Sequence, residues 1–315
     1  MGPMSVAWLF PGQGTQVVGM GKALYEASAQ AREVFDRADQ ALGWKLSSLC
    51  FEGPESDLTL TKNTQPAIVT ASIAALAALR EAHPELAPPA FAAGHSLGEY
   101  SALVAAGALA LEDAVRLVHL RGKAMQEAVP PGNGAMAAIM GGDADQVRNL
   151  CGDAAEGGVV APANFNAPGQ VVIAGEKDAV ERAMKLAQER KLKAIPLKVS
   201  APFHCALMAP AAKAVKEALK SVSLSAPEFP VISNVEAKPN SDADRIAELL
   251  VRQIDAPVLW DASVRAMADG GVDLALEIGP GKVLAGLVKR IDKRISVVAV
   301  GDPEGVTKAL ESLKN

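Results

Sequence analysis

The stretch FAAGHSLGEYSALVAA, residues 91–106, sets one serine between two glycines where a short apolar run gives way to a helix-like pattern. Gly94-His95-Ser96-Leu97-Gly98 fits G-x-S-x-G, which between a strand and a helix makes a nucleophile elbow. So tight a turn brings the flanking positions into collision, which accounts for glycine on either side of Ser96. The serine hydroxyl is then held exposed on a strained point. The N–H of Leu97, at the start of the helix, is left to donate to an oxyanion.

Outward from the elbow, the chain alternates strand and helix. SVAWLF followed by PGQGTQ reads as a buried strand and a Gly/Pro turn. Helix-like periods follow over 22–41 and 65–82. PAFAAGHS gives a second strand and turn, and helices resume over 97–106 and 111–128. This order predicts an α/β fold with a mostly parallel sheet covered on both faces. After PPGNG at 130–134 the pattern changes. AMAAIMGG, VVAPANFN, QVVIAGE and AIPLKVS read as strands, with helices in DADQVRNLCGDA and KDAVERAMKLAQERK. The order βαββαβ predicts a ferredoxin-like unit inserted over 132–199. FPVISNVE, VDLALEIGP and ISVVAVG then return to the first pattern as further strands.

Composition narrows the function. The 315 residues carry a net charge of −5 and are 50% hydrophobic, so disorder is excluded and no basic field draws a nucleic acid. The longest apolar stretch, 67–79, is too short to span a bilayer, and Pro11 stops the first apolar run before it can serve as a signal peptide. The opening Met1-Gly-Pro is set aside from the fold. Cys50, Cys151 and Cys205 are far apart and odd in number, so neither a metal site nor a disulfide framework is expected. A soluble cytoplasmic protein is the expectation. The glycines of Gly12-Gln-Gly14 suggest a dinucleotide fingerprint, but the third glycine is missing, and a Rossmann cofactor site is rejected.

A serine hydroxyl needs a base beside it. Of four histidines, His83 closes a helix before Pro84, His95 sits in the elbow pointing away from the hydroxyl, and His119 lies within a helix. His204, in VSAPFHCALM, follows a strand and a proline turn and is expected to open a helix; elimination makes it the base. Cys205 beside it reads as a packing residue on that helix rather than a rival nucleophile.

With these residues in place, the chain resembles the malonyl-CoA:acyl carrier protein transacylases from end to end. The blocks are FPGQGTQ at 10–16, TQPAI at 64–68, GHSLGEYSAL at 94–103, RGKAMQ at 121–126 and NFNAPGQVVIAG at 164–175. PFHCALM at 202–208, ISNVEA at 232–237 and EIGPGKVLAGL at 277–287 complete the series. The resemblance implies an α/β-hydrolase-like catalytic domain over 1–131 and 200–315, with the ferredoxin-like subdomain inserted at 132–199. It implies ping-pong transfer of malonyl through a Ser96 ester to the phosphopantetheine thiol of acyl carrier protein, with His204 as base and acid. Gln13 and Leu97 would supply the oxyanion-hole N–H groups, and Arg121 would bind the distal carboxylate of malonate. Gln253 would orient His204 through its main-chain carbonyl, giving a Ser–His dyad without a carboxylate; Asp255 nearby leaves an aspartate open. Asn166 and Phe203 would contact substrate, and Leu97 with Phe203 would favour malonyl over a branched acyl group. No cofactor or metal is implied, coenzyme A entering as a thioester substrate, and a monomer is expected. The basic runs 189–198 and 289–294 are candidates for docking an acidic carrier. A polyketide-pathway acyltransferase and a serine hydrolase on the same elbow remain the competing readings.

Overall fold

In the computed structural model, which describes residues 4–199 and 201–314, ten strands follow one another along the chain. The opening tripeptide and Ser200, within the expected AIPLKVS strand, lie outside the described residues. The strands are β1 (Val6–Phe10), β2 (Phe91–Gly94), β3 (Gly134–Met140), β4 (Val160–Ala167), β5 (Gln170–Glu176), β6 (Lys193–Pro196), β7 (Val231–Ile232), β8 (Pro239–Asn240), β9 (Leu274–Ile278) and β10 (Ser296–Val300). A six-stranded sheet runs β10-β9-β1-β2-β7-β8, parallel except where β8 turns back on β7.

The unbroken apolar sequence of β1 follows from burial on both faces. Trp8 and Phe10 join one core, with helices Thr61–Ala82, Gly98–Ala105 and Leu111–Glu127; Ala7 and Leu9 join another, with helices Trp260–Asp269 and Val283–Ile291. A second sheet, in the order β4-β5-β3-β6 with every pair antiparallel, has the expected ferredoxin-like topology. Helices Ala144–Ala155 and Lys177–Glu189 cover one face through Ala137, Ile139, Val171 and Ile173. The opposite face, through Met136, Ala138, Val172 and Ala174, packs into the main core. The small sheet is also tied to the segment after helix Ala243–Asp255: Phe165 N–H donates to the Val258 carbonyl and Val258 N–H to that of Ala163, both at 2.9 Å.

Several elements differ from expectation. The helix expected over 22–41 is two, Lys22–Ala27 and Ala29–Leu42, because Ser28 is extended and its hydroxyl caps the second by accepting the Ala31 N–H. The helix expected from residue 65 begins at Thr61, with Pro66 inside it. FPVISNVE contributes only Val231–Ile232, since a turn through Ser233–Ala237 folds β8 back on it. His204 does not open a helix. It sits in a loop at φ 58°, followed by a 3-10 turn at Ala206–Met208 and the α-helix Ala209–Leu219. Cys205 therefore caps the 3-10 turn, buried, rather than packing on a helix.

Candidate active site

Ser96 lies two residues beyond the end of β2, and the chain turns there through a left-handed backbone, φ 51°, into helix Gly98–Ala105. The expected crowding is real: a Cβ on Gly94 would fall on the Gly98 carbonyl, and one on Gly98 would fall on the carbonyl of Phe10. The turn is pinned on both sides. Ser96 N–H donates to Asn234 Oδ1 at 2.7 Å, and the Ser96 carbonyl accepts from Gln253 Nε2 at 2.9 Å. The Ser96 N–H is thus engaged, and the N–H groups of Gly98, Glu99 and Tyr100 bond to the His95, Ser96 and Leu97 carbonyls. Leu97 N–H precedes these at the open end of the helix, where amides lack helical acceptors. Gln13, in the loop after β1, lines the same cleft, its side chain bonded to the Thr61 hydroxyl at 3.3 Å.

His204 Nε2 lies 2.7 Å from Ser96 Oγ, and its Nδ1–H donates to the Gln253 carbonyl at 2.8 Å. The place an acid would take beside the imidazole is filled by that carbonyl, and the half-buried Asp255 next along is not its partner. Burial first, then the nearby Arg121 charge, hold the His204 pKa far below the usual imidazole range. The ring is therefore neutral at pH 7 and able to accept a proton.

Arg121, from helix Leu111–Glu127, is fully buried. Its Nη1 donates to Gln65 Oε1 at 2.9 Å; its Nη2 donates to Gln253 Oε1 at 2.9 Å and to Ser96 Oγ at 3.0 Å. Its carbon lies 5.3 Å from the centre of the Tyr100 ring, and its Nε has no hydrogen-bond partner. None of these partners is a carboxylate. A cation so enclosed lacks a directly bonded anion.

Gln13, Ser96, Arg121, Asn166, Phe203 and His204 all line one cleft of about 1010 Å³ between the two sheets. Asn166 Oδ1 accepts from His95 Nε2–H at 2.7 Å, a pairing not expected from sequence; burial lowers the His95 pKa, and this contact fixes the tautomer that carries its proton on Nε2. Gln65, Asn234 and Glu99 were likewise unassigned, although each lies inside a quoted block. For two of them the signal was a polar side chain beside or within an apolar stretch: Gln65 stands two residues before the run 67–79, and Glu99 interrupts the elbow helix. Among the described residues, no group of three or more His, Cys, Asp and Glu is placed to hold a metal ion, and no helix is long and apolar enough to cross a membrane.

The acyl transferase domain model matches residues 7–301. The chain belongs to this family. A malonyl CoA-acyl carrier protein transacylase of Bacillus subtilis is 50% identical over 311 residues, 98% of this chain and 97% of the relative. The crystal structure of an acyl-carrier-protein S-malonyltransferase from Burkholderia pseudomallei superposes with a TM-score of 0.94 at 48% identity, covering 98% of this chain and 100% of that one. A malonyl-transacylase solved with its type II polyketide acyl carrier protein has a TM-score of 0.94 at 46% identity, covering 98% and 99%.

Proposed function

We propose that this acyltransferase moves malonyl from coenzyme A to the phosphopantetheine thiol of acyl carrier protein, supplying malonyl carrier for fatty-acid synthesis. The observation that carries the reading is the buried Arg121 guanidinium, 3.0 Å from Ser96 Oγ and without a carboxylate among its hydrogen-bond partners. Malonate's distal carboxylate supplies that partner.

His204 Nε2 takes the Ser96 proton as Oγ attacks the thioester carbonyl. The N–H groups of Leu97 and Gln13 stabilise the oxyanion, each worth about 3 kcal/mol in the transition state. The intermediate collapses, coenzyme A leaves as the thiol with the imidazolium's proton, and malonyl remains esterified to Ser96. The carrier thiol reverses these steps. Serine, imidazole and amide donors complete the transfer, so the chemistry calls for no cofactor. Gln253 orients His204, Asn166 contacts the substrate, and the Phe203 ring, which lines the cleft, disfavours a branched acyl group. Three buried, unbridged cysteines suit the reducing cytoplasm. A polyketide carrier as acceptor is favoured by the neighbour solved with one, and side-by-side assay of the two carriers decides between them.

Intact mass after brief exposure to equal malonyl-CoA and acetyl-CoA is the direct test. A malonyl adduct that Ser96→Ala abolishes is expected; a predominant acetyl adduct, or rapid release of free malonate without carrier, would overturn the proposal. In Arg121→Ala, malonyl use should fall by about 3 kcal/mol, on the order of 100-fold, and acetyl use far less.

A further inference from the structure

Directly beneath the elbow lies a carboxyl group that the transfer chemistry does not use. Glu99, in the first turn of helix Gly98–Ala105, is 3% exposed. Its Oε2 accepts from the Asn234 N–H at 3.1 Å and from Gln253 Nε2 at 2.8 Å. The same Gln253 carboxamide accepts Arg121 Nη2 on its oxygen, at 2.9 Å. One amide therefore bridges a buried acid and a buried cation, its N–H toward the carboxyl and its C=O toward the guanidinium. We propose that Glu99 is the resting counter-ion of Arg121, relayed by Gln253, and that a substrate carboxylate arriving on Arg121 displaces it from that role, so that Glu99 takes up one proton from solvent.

The inference rests on the carboxylate clamp proposed above. Uncompensated charge is costly in an enclosed site, so near-neutrality is favoured in each state. Above the Glu99 midpoint and without substrate the pair is Arg121⁺ and Glu99⁻; with malonyl bound it is Arg121⁺ and the malonyl carboxylate, with Glu99 protonated. The proton returns to solvent when malonyl departs. Acetyl brings no anion and leaves Glu99 charged. Burial pushes Glu99 up to about 7, against the hydrogen bonds from Asn234 and Gln253 and the charge of Arg121, so a modest change of field at neutral pH flips it. The other groups facing it do not titrate in this range. Tyr100, on the same helix, is pushed up to about 12 by burial, and Asn234 and Gln253 from the neighbouring elements are neutral.

Malonyl capture is then coupled to proton uptake, and acetyl capture is not. The malonyl-to-acetyl ratio of kcat/KM should fall as pH rises above the Glu99 midpoint, by at most about tenfold per pH unit for one proton. Glu99→Gln, neutral at every pH, should raise the ratio about tenfold on the alkaline side and flatten its pH course, a size usual for coupling between two sites. A purely structural Glu99 would depress both substrates together, and a ratio with wild-type value and pH course in Glu99→Gln would overturn the inference. Calorimetry of malonyl-CoA binding to Ser96→Ala, in two buffers of different protonation heat, tests it without altering Glu99. Proton uptake with malonyl-CoA but not acetyl-CoA is expected, and equal uptake with both would overturn it. Arg121→Met separates the two proposals. Lost discrimination there beside unchanged discrimination in Glu99→Gln removes the Glu99 inference alone; unchanged discrimination in Arg121→Met removes the clamp and this inference with it.

Discussion

Ser96 and His204 share a backbone that side chains rarely adopt, with φ of 51° and 58°. Each such residue costs about 1–2 kcal/mol relative to glycine, and only surrounding hydrogen bonds keep it there. At Ser96 these are the Asn234 oxygen on its N–H and the Gln253 amide on its carbonyl. Stability is thus spent at both reacting residues to aim Oγ and Nε2 at one another. Ser96→Gly and Ser96→Ala both lose the nucleophile, yet glycine relaxes the turn. Ser96→Gly should therefore be more stable than Ser96→Ala by about 1 kcal/mol in thermal melts, and equal or reversed melting points would show that no strain is held there.

At the scale of elements, helix Val283–Ile291 shows how the cleft's outer lip is set. Glu277, buried on β9, accepts the Leu284 and Ala285 N–H groups at 3.0 and 2.8 Å, closing the helix's open amides. Val283, Leu284 and Leu287 of that helix line the cleft. Glu277→Ala should cost about 1–2 kcal/mol in chemical denaturation, the loss of a helix cap. Elements of this kind also show what was readable beforehand. β1, β2 and β9 announced themselves because strands covered on both faces are apolar throughout, and the βαββαβ order followed from the alternation of strand and helix periods. The break at Ser28 and the hairpin after Ile232 were not readable, since each turns on a local hydrogen bond rather than on hydrophobic period. At the site, Ser96 carried its own spacing and His204 emerged by elimination. Arg121 was singled out by the resemblance alone, since an arginine within a helix carries no local pattern that marks it as buried. Asn234 and Gln253 serve Ser96 from 138 and 157 residues away, a proximity that no local pattern encodes.

Over the whole molecule, the cleft is lined by residues of both sheets' domains, and exposed basic residues occur on the elements at either side of it despite the net charge of −5. Lys198 lines the opening on the side of β6, where Lys191 and Lys193 are exposed; Lys289 and Arg290 end the helix on the other side. These basic residues are the expected contacts of an acidic carrier. Reversing Lys191 and Lys193 to Glu should raise the KM for the carrier by about 1 kcal/mol, roughly fivefold, with the effect fading as salt rises. Formation of the Ser96 ester from malonyl-CoA should be untouched, and an unaltered carrier response would strike that side from the docking surface. The groups around Oγ are scattered from the loop after β1 to Gln253, with His204 and Gln253 among the last to be synthesised. On the ribosome, Ser96 emerges more than a hundred residues before its base, and until then it is an ordinary alcohol among cellular thioesters. A half-made chain is therefore chemically silent, and the nascent protein cannot squander coenzyme A esters before the last pieces dock.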